Sequence, residues 1–183
     1  MNQWILFTGH MIDAQDRPEP RFPADKEQAA RYEIEKHLIE EKKAATGELK
    51  GIAGGACGGD ILFHELCLEL GIPTEMYLAL PSEEFKEASV SFAGKEWDTR
   101  FDRLNEQLPV YILPKAKEID EHNVWERANL WMLDNALQDG GSNMSLIALW
   151  DGKGGDGSGG TEHMVQIAKE QGAHINIVNI KEI

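Results

Sequence analysis

The chain has 183 residues, 42% hydrophobic and 27% charged, the balance of a soluble globular protein long enough to bury a full core. Its net charge of −14 excludes a long nucleic-acid backbone as partner, because such binding needs a basic face. A small anion held by backbone amides and one or two arginines remains compatible with that charge. No apolar run approaches the ~20 residues that cross a bilayer. The opening MNQWILFTGH has neither a basic leader nor a cleavage site. The expectation is a cytoplasmic protein with no membrane partner. Cys57 and Cys67 match no zinc or redox spacing, so they read as reduced thiols, with no metal and no cofactor implied.

In chain order, Gln3–Thr8 is an apolar run of strand length that stops at Gly9-His10. Asp13–Pro23 contains three prolines and is irregular. Asp25–Ala45 reads as a charged helix with Ala30, Ile34, Leu38 and Ile39 on one side, and Leu49–Ala53 as a second strand. Asp60–Leu70 is an amphipathic helix stopped by Gly71 and Pro73, followed by a strand over Glu75–Leu80. Helices over Ser82–Ser89 and Lys95–Leu108 precede a strand at Val110–Leu113. The chain then reads helix Glu121–Leu137, strand Ser145–Trp150, glycine loop Asp151–Gly160, helix Thr161–Gln171 and strand His174–Asn179. Strands alternating with helices predict an α/β fold: one Rossmann-like domain with a mostly parallel sheet of about six strands and helices on both faces. Such sheets bind ligands beyond the carboxyl ends of their strands.

Two strand-to-helix junctions are rich in glycine, GIAGGACGGD at 51–60 and DGKGGDGSGG at 151–160. A helix start offers unpaired N–H groups, and glycine lets a phosphate approach the backbone. Two such loops at one sheet edge suggest a nucleotide cradle; two empty turns are the plainer reading. The window Gly152–Gly157 matches G-x-G-x-x-G by letter, but a dinucleotide fingerprint opens the first βα unit. There is no Walker P-loop. Lys153 and Gly155 occupy positions where a calcium loop needs oxygen side chains.

The stretch GGACGGDILFHELCLELGI resembles the glycine-rich βα motif of the SLOG superfamily, which groups DNA-processing protein A proteins with LOG phosphoribohydrolases. GSGGTEHMVQIAKEQG resembles that superfamily's second motif, P-G-G-x-G-T-x-x-E, and ERANLWMLDNAL resembles the helix between them. The resemblance implies a Rossmann-like sheet that binds nucleotides or nucleotide-derived ligands, with some members cleaving N-glycosidic bonds, and often a homodimer. In LOG enzymes a catalytic Glu follows the motif Thr by three places; here that place is Met164, with Glu162 out of register, and the motif's proline is absent.

The candidate ligand-binding residues are Gly9, His10, Gly54, Gly55, Gly58, Gly59, Asp60, Arg100, Arg127, Asn129, Gly157, Gly159, Gly160 and Thr161. Gly58 and Gly59 are the expected phosphate seat. Asp60 reads as a helix cap, reaching at most a ribose hydroxyl, so that Asp60→Ala would cost ~1 kcal/mol. His10 stands where it could bind a phosphate or move a proton. Arg127 and Asn129 are two apart on one helix, so one of them faces the cleft squarely; the resemblance favours Asn129. Arg100 could meet a phosphate, while Trp97 and Phe101 read as core or interface. Catalytic candidates are Glu162 and Asp134, with Asp151 a further carboxylate; His163 reads as solvated. Three readings stay open: a module binding a small nucleotide-type ligand, a hydrolase of nucleoside monophosphates, and an interaction domain with empty loops whose Trp-rich helices serve a homodimer.

Overall fold

The computed structural model describes residues 2–115, 123–153 and 160–183. Six strands form one sheet: β1 (Asn2–Gly9), β2 (Glu48–Ala53), β3 (Thr74–Leu78), β4 (Val110–Ile112), β5 (Met144–Trp150) and β6 (His174–Asn179). Their spatial order is β4-β3-β2-β1-β5-β6, and every neighbouring pair is parallel. The helices are α1 (Glu27–Ala44), α2 (Gly59–Leu70), α3 (Ser82–Ser89), α4 (Lys95–Gln107), α5 (Val124–Ala136) and α6 (Thr161–Glu170). This is the expected Rossmann-like α/β fold.

Strand alternation divides the core in two, because successive side chains point to opposite faces. Ile5, Phe7, Ala53, Met76, Leu78, Ile147 and Leu149 face one layer, which α1, α2 and α4 cover through Ile34, Leu38, Ile61, Phe63, Trp97 and Phe101. Trp4, Leu6, Ile52, Tyr77 and Leu146 face the other, covered by α5 and α6 through Met132, Leu133, Met164 and Ala168. Helices cover both faces, so the strands read as continuous apolar runs. Trp97 and Phe101 are core residues.

The sheet order reverses between β1 and β5. The chain moves outward from β1 through β2, β3 and β4, then returns to the other side of β1 for β5 and β6. That crevice is where the loops after β1 and β5 diverge and a ligand can enter between them. Gly9 lies at this seam: a Cβ there would stand 2.7 Å from Leu149 Cβ, so only glycine lets the two strands run this close.

An ion-pair network locks the α1–α2–α4 layer. Glu65, almost fully buried on α2, receives a bidentate pair of hydrogen bonds from Arg100 at 2.9 and 2.7 Å and a third from Arg103 at 2.9 Å. Arg100 also donates to Glu27 at 2.8 Å and stacks on Trp97 with its guanidinium carbon 4.0 Å from the ring centroid. Arg31 approaches Glu65 at 3.5 Å. Lysine cannot reproduce the fork or the stack. Arg100→Lys is therefore expected to lower stability by about 1–2 kcal/mol in a denaturant titration; an unchanged midpoint would show the network to be idle.

Candidate functional site

A cleft of about 520 Å³ opens at the carboxyl edge of the sheet, beside the β1–β5 reversal. Its floor is Phe7, Thr8 and Gly9 at the end of β1 and Gly54 after β2. One wall is apolar and aromatic: Tyr77, Ala79, Phe85, Trp125 and Met132. The polar part of the lining is Asp60, Asn129, Gly160 and Thr161. The helices that follow parallel strands begin at this edge, so α2, α5 and α6 each present their first turn here.

The aromatic wall has a local origin. Asn123 caps α5, its side chain accepting the N–H groups of Trp125 and Glu126, both at 3.0 Å. The cap starts the helix there and leaves Trp125 39% exposed, with its ring centroid 5.8 Å from that of Phe85. An apolar platform beside polar groups is the usual make-up of a small-molecule site.

Asp60 departs most from expectation. The residue preceding α2 is Gly58, with φ +101°, and no side chain caps that helix. Asp60 lies inside the first turn, and its Oδ2 accepts the Ala56 N–H at 3.1 Å, bracing the β2–α2 loop from the cleft side. Gly54 makes room for it, since a Cβ at 54 would stand 2.6 Å from that oxygen. Burial pushes the Asp60 carboxyl up to about 7, with the Ala56 hydrogen bond only partly offsetting the effect. The helix-cap reading, and the ~1 kcal/mol cost for Asp60→Ala that went with it, are replaced by a cleft carboxyl poised near neutrality.

A buried histidine that the sequence reading passed over supports this loop. His64 has no exposed surface; Nε2 stands 2.8 Å from the Gly54 carbonyl oxygen and Nδ1 2.8 Å from Thr74 Oγ1. The carbonyl can only accept, so Nε2 carries the hydrogen and Nδ1 accepts from the threonine hydroxyl. Burial lowers the His64 pKa to about 4, keeping the ring neutral. A His facing Thr across a helix–strand contact was the available signal, but only the parallel β2–β3 register brings Thr74 and Gly54 to the same ring.

The glycines of the first loop divide by role. Gly54 lines the cleft. Gly55 packs into the core, where a Cβ would stand 3.0 Å from Leu78, Met76 and Phe101 side chains. Gly58 and Gly59 are not open to a phosphate: the loop after β1 lies across them. Met11 pairs with Gly58, Ile12 N–H donates to Cys57 O at 3.1 Å, and Gly59 N–H donates to His10 O at 3.3 Å. Their glycine character answers packing, since a Cβ at 58 would stand 2.5 Å from Ile12 N and one at 59 would stand 2.7 Å from Phe7. Cys57 and Cys67 are free, buried thiols, held protonated by burial.

The remaining candidates separate cleanly. Asn129 lines the cleft, whereas Arg127 donates to the Pro114 carbonyl at 3.0 Å and is absent from the lining. Arg100 is committed to Glu65 and Glu27, not to the cleft. Asp134 and Glu162 are exposed and line no part of the cleft, so neither is placed to act there. His10 is buried beside it, its Nε2 3.6 Å from Asp151 Oδ1. Desolvation would raise the Asp151 pKa, but the Lys153 N–H, His10 and Lys181 together hold it below the usual carboxylate range. Gly160 and Thr161 line the cleft, while Gly157 and Gly159 lie outside the described residues.

No protein-family model matches the chain, and no curated protein matches it by sequence. Among the described residues, no helix is long and apolar enough to cross a membrane. Among solved structures, the chain is similar to DNA processing protein A (DprA) from Streptococcus pneumoniae, with a TM-score of 0.56 at 15% sequence identity. The match covers 96% of this chain and 50% of that one, so the chain spans about half the length of its structural neighbour. At this identity the likeness is one of fold: the chain carries a Rossmann-like sheet of the kind found in DprA.

Proposed function

We infer that the cleft binds a nucleotide or nucleotide-derived small molecule. The observation that carries this reading is the pairing, within one cavity at the sheet reversal, of an aromatic wall with a polar rim at a helix start. Tyr77, Phe85 and Trp125 suit the face of a base. Asp60 and Asn129 suit ribose hydroxyls, which both donate and accept. Thr161 and the first turn of α6 suit a phosphate. Calorimetric titration against purine and pyrimidine nucleotides is expected to show saturable heats, quenching of Trp125 fluorescence, and a loss of about tenfold in affinity for Asn129→Ala, the effect of one lost hydrogen bond. Flat heats across the panel would refute the reading.

One observation favours a second reading, hydrolysis of the N-glycosidic bond of a nucleoside monophosphate. Asp60 is a cleft carboxyl with its pKa raised to about 7, the condition in which a carboxylic acid can protonate a leaving group near neutral pH. Chromatography of incubated nucleotides would then show free base, and Asp60→Asn would abolish it. Intact nucleotide after prolonged incubation would leave the binding reading alone.

A further inference from the structure

A second cavity, of about 400 Å³, adjoins the first and shares Gly9, Met11 and Thr161 with it. Its outer wall is the proline-rich segment after β1, which brings Arg17 and Arg21 to the cavity together with His10 and Phe92. In a chain of net charge −14, two guanidinium groups thus stand on one cavity wall.

The segment is built and not merely draped. Asp13 N–H donates to the Phe22 carbonyl at 2.9 Å, and Asp13 Oδ2 accepts the N–H groups of Arg21 and Phe22 at 2.8 and 2.9 Å. The Phe22 side chain is fully buried and anchors the far end. Pro18 and Pro20 narrow the backbone choices between these ties. Asp13, the acid that lines this cavity, is therefore occupied by its own loop. Arg17 spends Nε on the Glu19 carbonyl at 2.9 Å and on Asp13 at 3.4 Å, which leaves its two terminal amino groups for a ligand. A guanidinium offers a phosphate the planar pair of donors that an ammonium lacks.

We propose that the ligand spans both cavities, with its nucleoside in the aromatic cleft, its first phosphate at Thr161, and a second phosphate in the Arg17–Arg21 cavity. The ligand class is then a nucleoside diphosphate or a diphosphate-linked derivative of one, and not a nucleoside monophosphate. This inference rests on the nucleotide reading above and narrows it. The shared residues set the path: Gly9 and Met11 form the sill between the cavities and Thr161 stands on both sides of it.

The test is calorimetric titration of wild type, Arg17→Gln/Arg21→Gln and Asn129→Ala with nucleoside monophosphates, diphosphates and diphosphate-linked dinucleotides, carrying purine and pyrimidine bases. The expected result is diphosphate binding about tenfold or more tighter than monophosphate. The double arginine variant should lose that advantage and keep its monophosphate affinity, while Asn129→Ala weakens all forms alike. Lysine at both positions should restore part of the advantage, and unchanged thermal midpoints would show that the loop still folds. A dinucleotide that binds as well as the diphosphate identifies a linked second unit; one that is excluded identifies a terminal phosphate. Both outcomes support the second subsite. Equal affinity for mono- and diphosphates, or arginine variants that weaken all forms equally, would overturn this inference and leave the nucleotide reading standing. Flat heats with every form would overturn both.

Discussion

Asp60→Asn is expected to stabilise the protein at pH 8 by about 4 kcal/mol and to leave stability nearly unchanged at pH 4. The folded carboxyl titrates near 7 against an ordinary value of 3.8, so between those limits the native state holds a proton that the unfolded chain has released. Stability due to Asp60 is complete below the unfolded value and is lost as pH rises through the folded one, at about 1.4 kcal/mol per unit. Asparagine has the same shape, keeps an oxygen for the Ala56 N–H at 3.1 Å, and has no charge to desolvate. The gain should grow from about pH 4 to about pH 7 and then level off. For a chain of this length it corresponds to a midpoint rise of roughly 8–16 °C. Thermal unfolding across that range measures it directly. A variant equal to or less stable than wild type at pH 8 would mean that the carboxyl is not held near neutrality. Retaining an unfavourable carboxyl in a cleft is the pattern of a residue kept for binding or chemistry at the expense of stability.

His64→Leu is expected to act with the opposite dependence. At pH 7 the substitution removes the ring that serves both partners, leaving the Gly54 carbonyl unsatisfied in the interior, at a cost of about 3 kcal/mol. The folded His64 pKa of about 4 lies below the ordinary 6.5, so the unfolded chain takes up a proton first as pH falls. The stability contributed by neutral His64 is present above pH 6.5 and is lost as pH drops towards 4, by about 3 kcal/mol in all. Wild type and variant should therefore converge in acid. Denaturant midpoints from pH 4 to pH 8 test this; curves that stay parallel would remove His64 as the cause. Since His64 holds the Gly54 carbonyl, the variant should also weaken the proposed nucleotide binding through a displaced loop, whereas Asp60→Asn leaves the loop in place.

Within the candidate site, the sequence marked places better than roles. Gly9, Gly54, Asp60, Asn129, Gly160 and Thr161 line the cleft, because strand ends and helix starts are legible from local pattern and a parallel α/β fold gathers them at one edge. Gly58 and Gly59 were assigned to phosphate because glycine permits close approach, but what approaches is the backbone of residues 10–12. Arg100 sits near acids on two other helices, Glu27 and Glu65, that lie 73 and 35 residues away in sequence. No local pattern reports that pairing. The aromatic wall was missed for the same reason: Tyr77, Phe85 and Trp125 come from a strand and two helices.

The sequence by itself determined the alternation of strands and helices, the two glycine-rich junctions and the acidic character of the chain. Those properties depend on residues close together along the chain, through periodicity, turn chemistry and composition. Only the tertiary structure decided what the junctions do. Strand order set β1 beside β5, the loop after β1 closed over Gly58 and Gly59, and packing left Asp60 and His64 in surroundings that move their pKa values in opposite directions. Desolvation and long-range pairing depend on what surrounds a group in space, and the order of residues along the chain carries that only after the chain has folded.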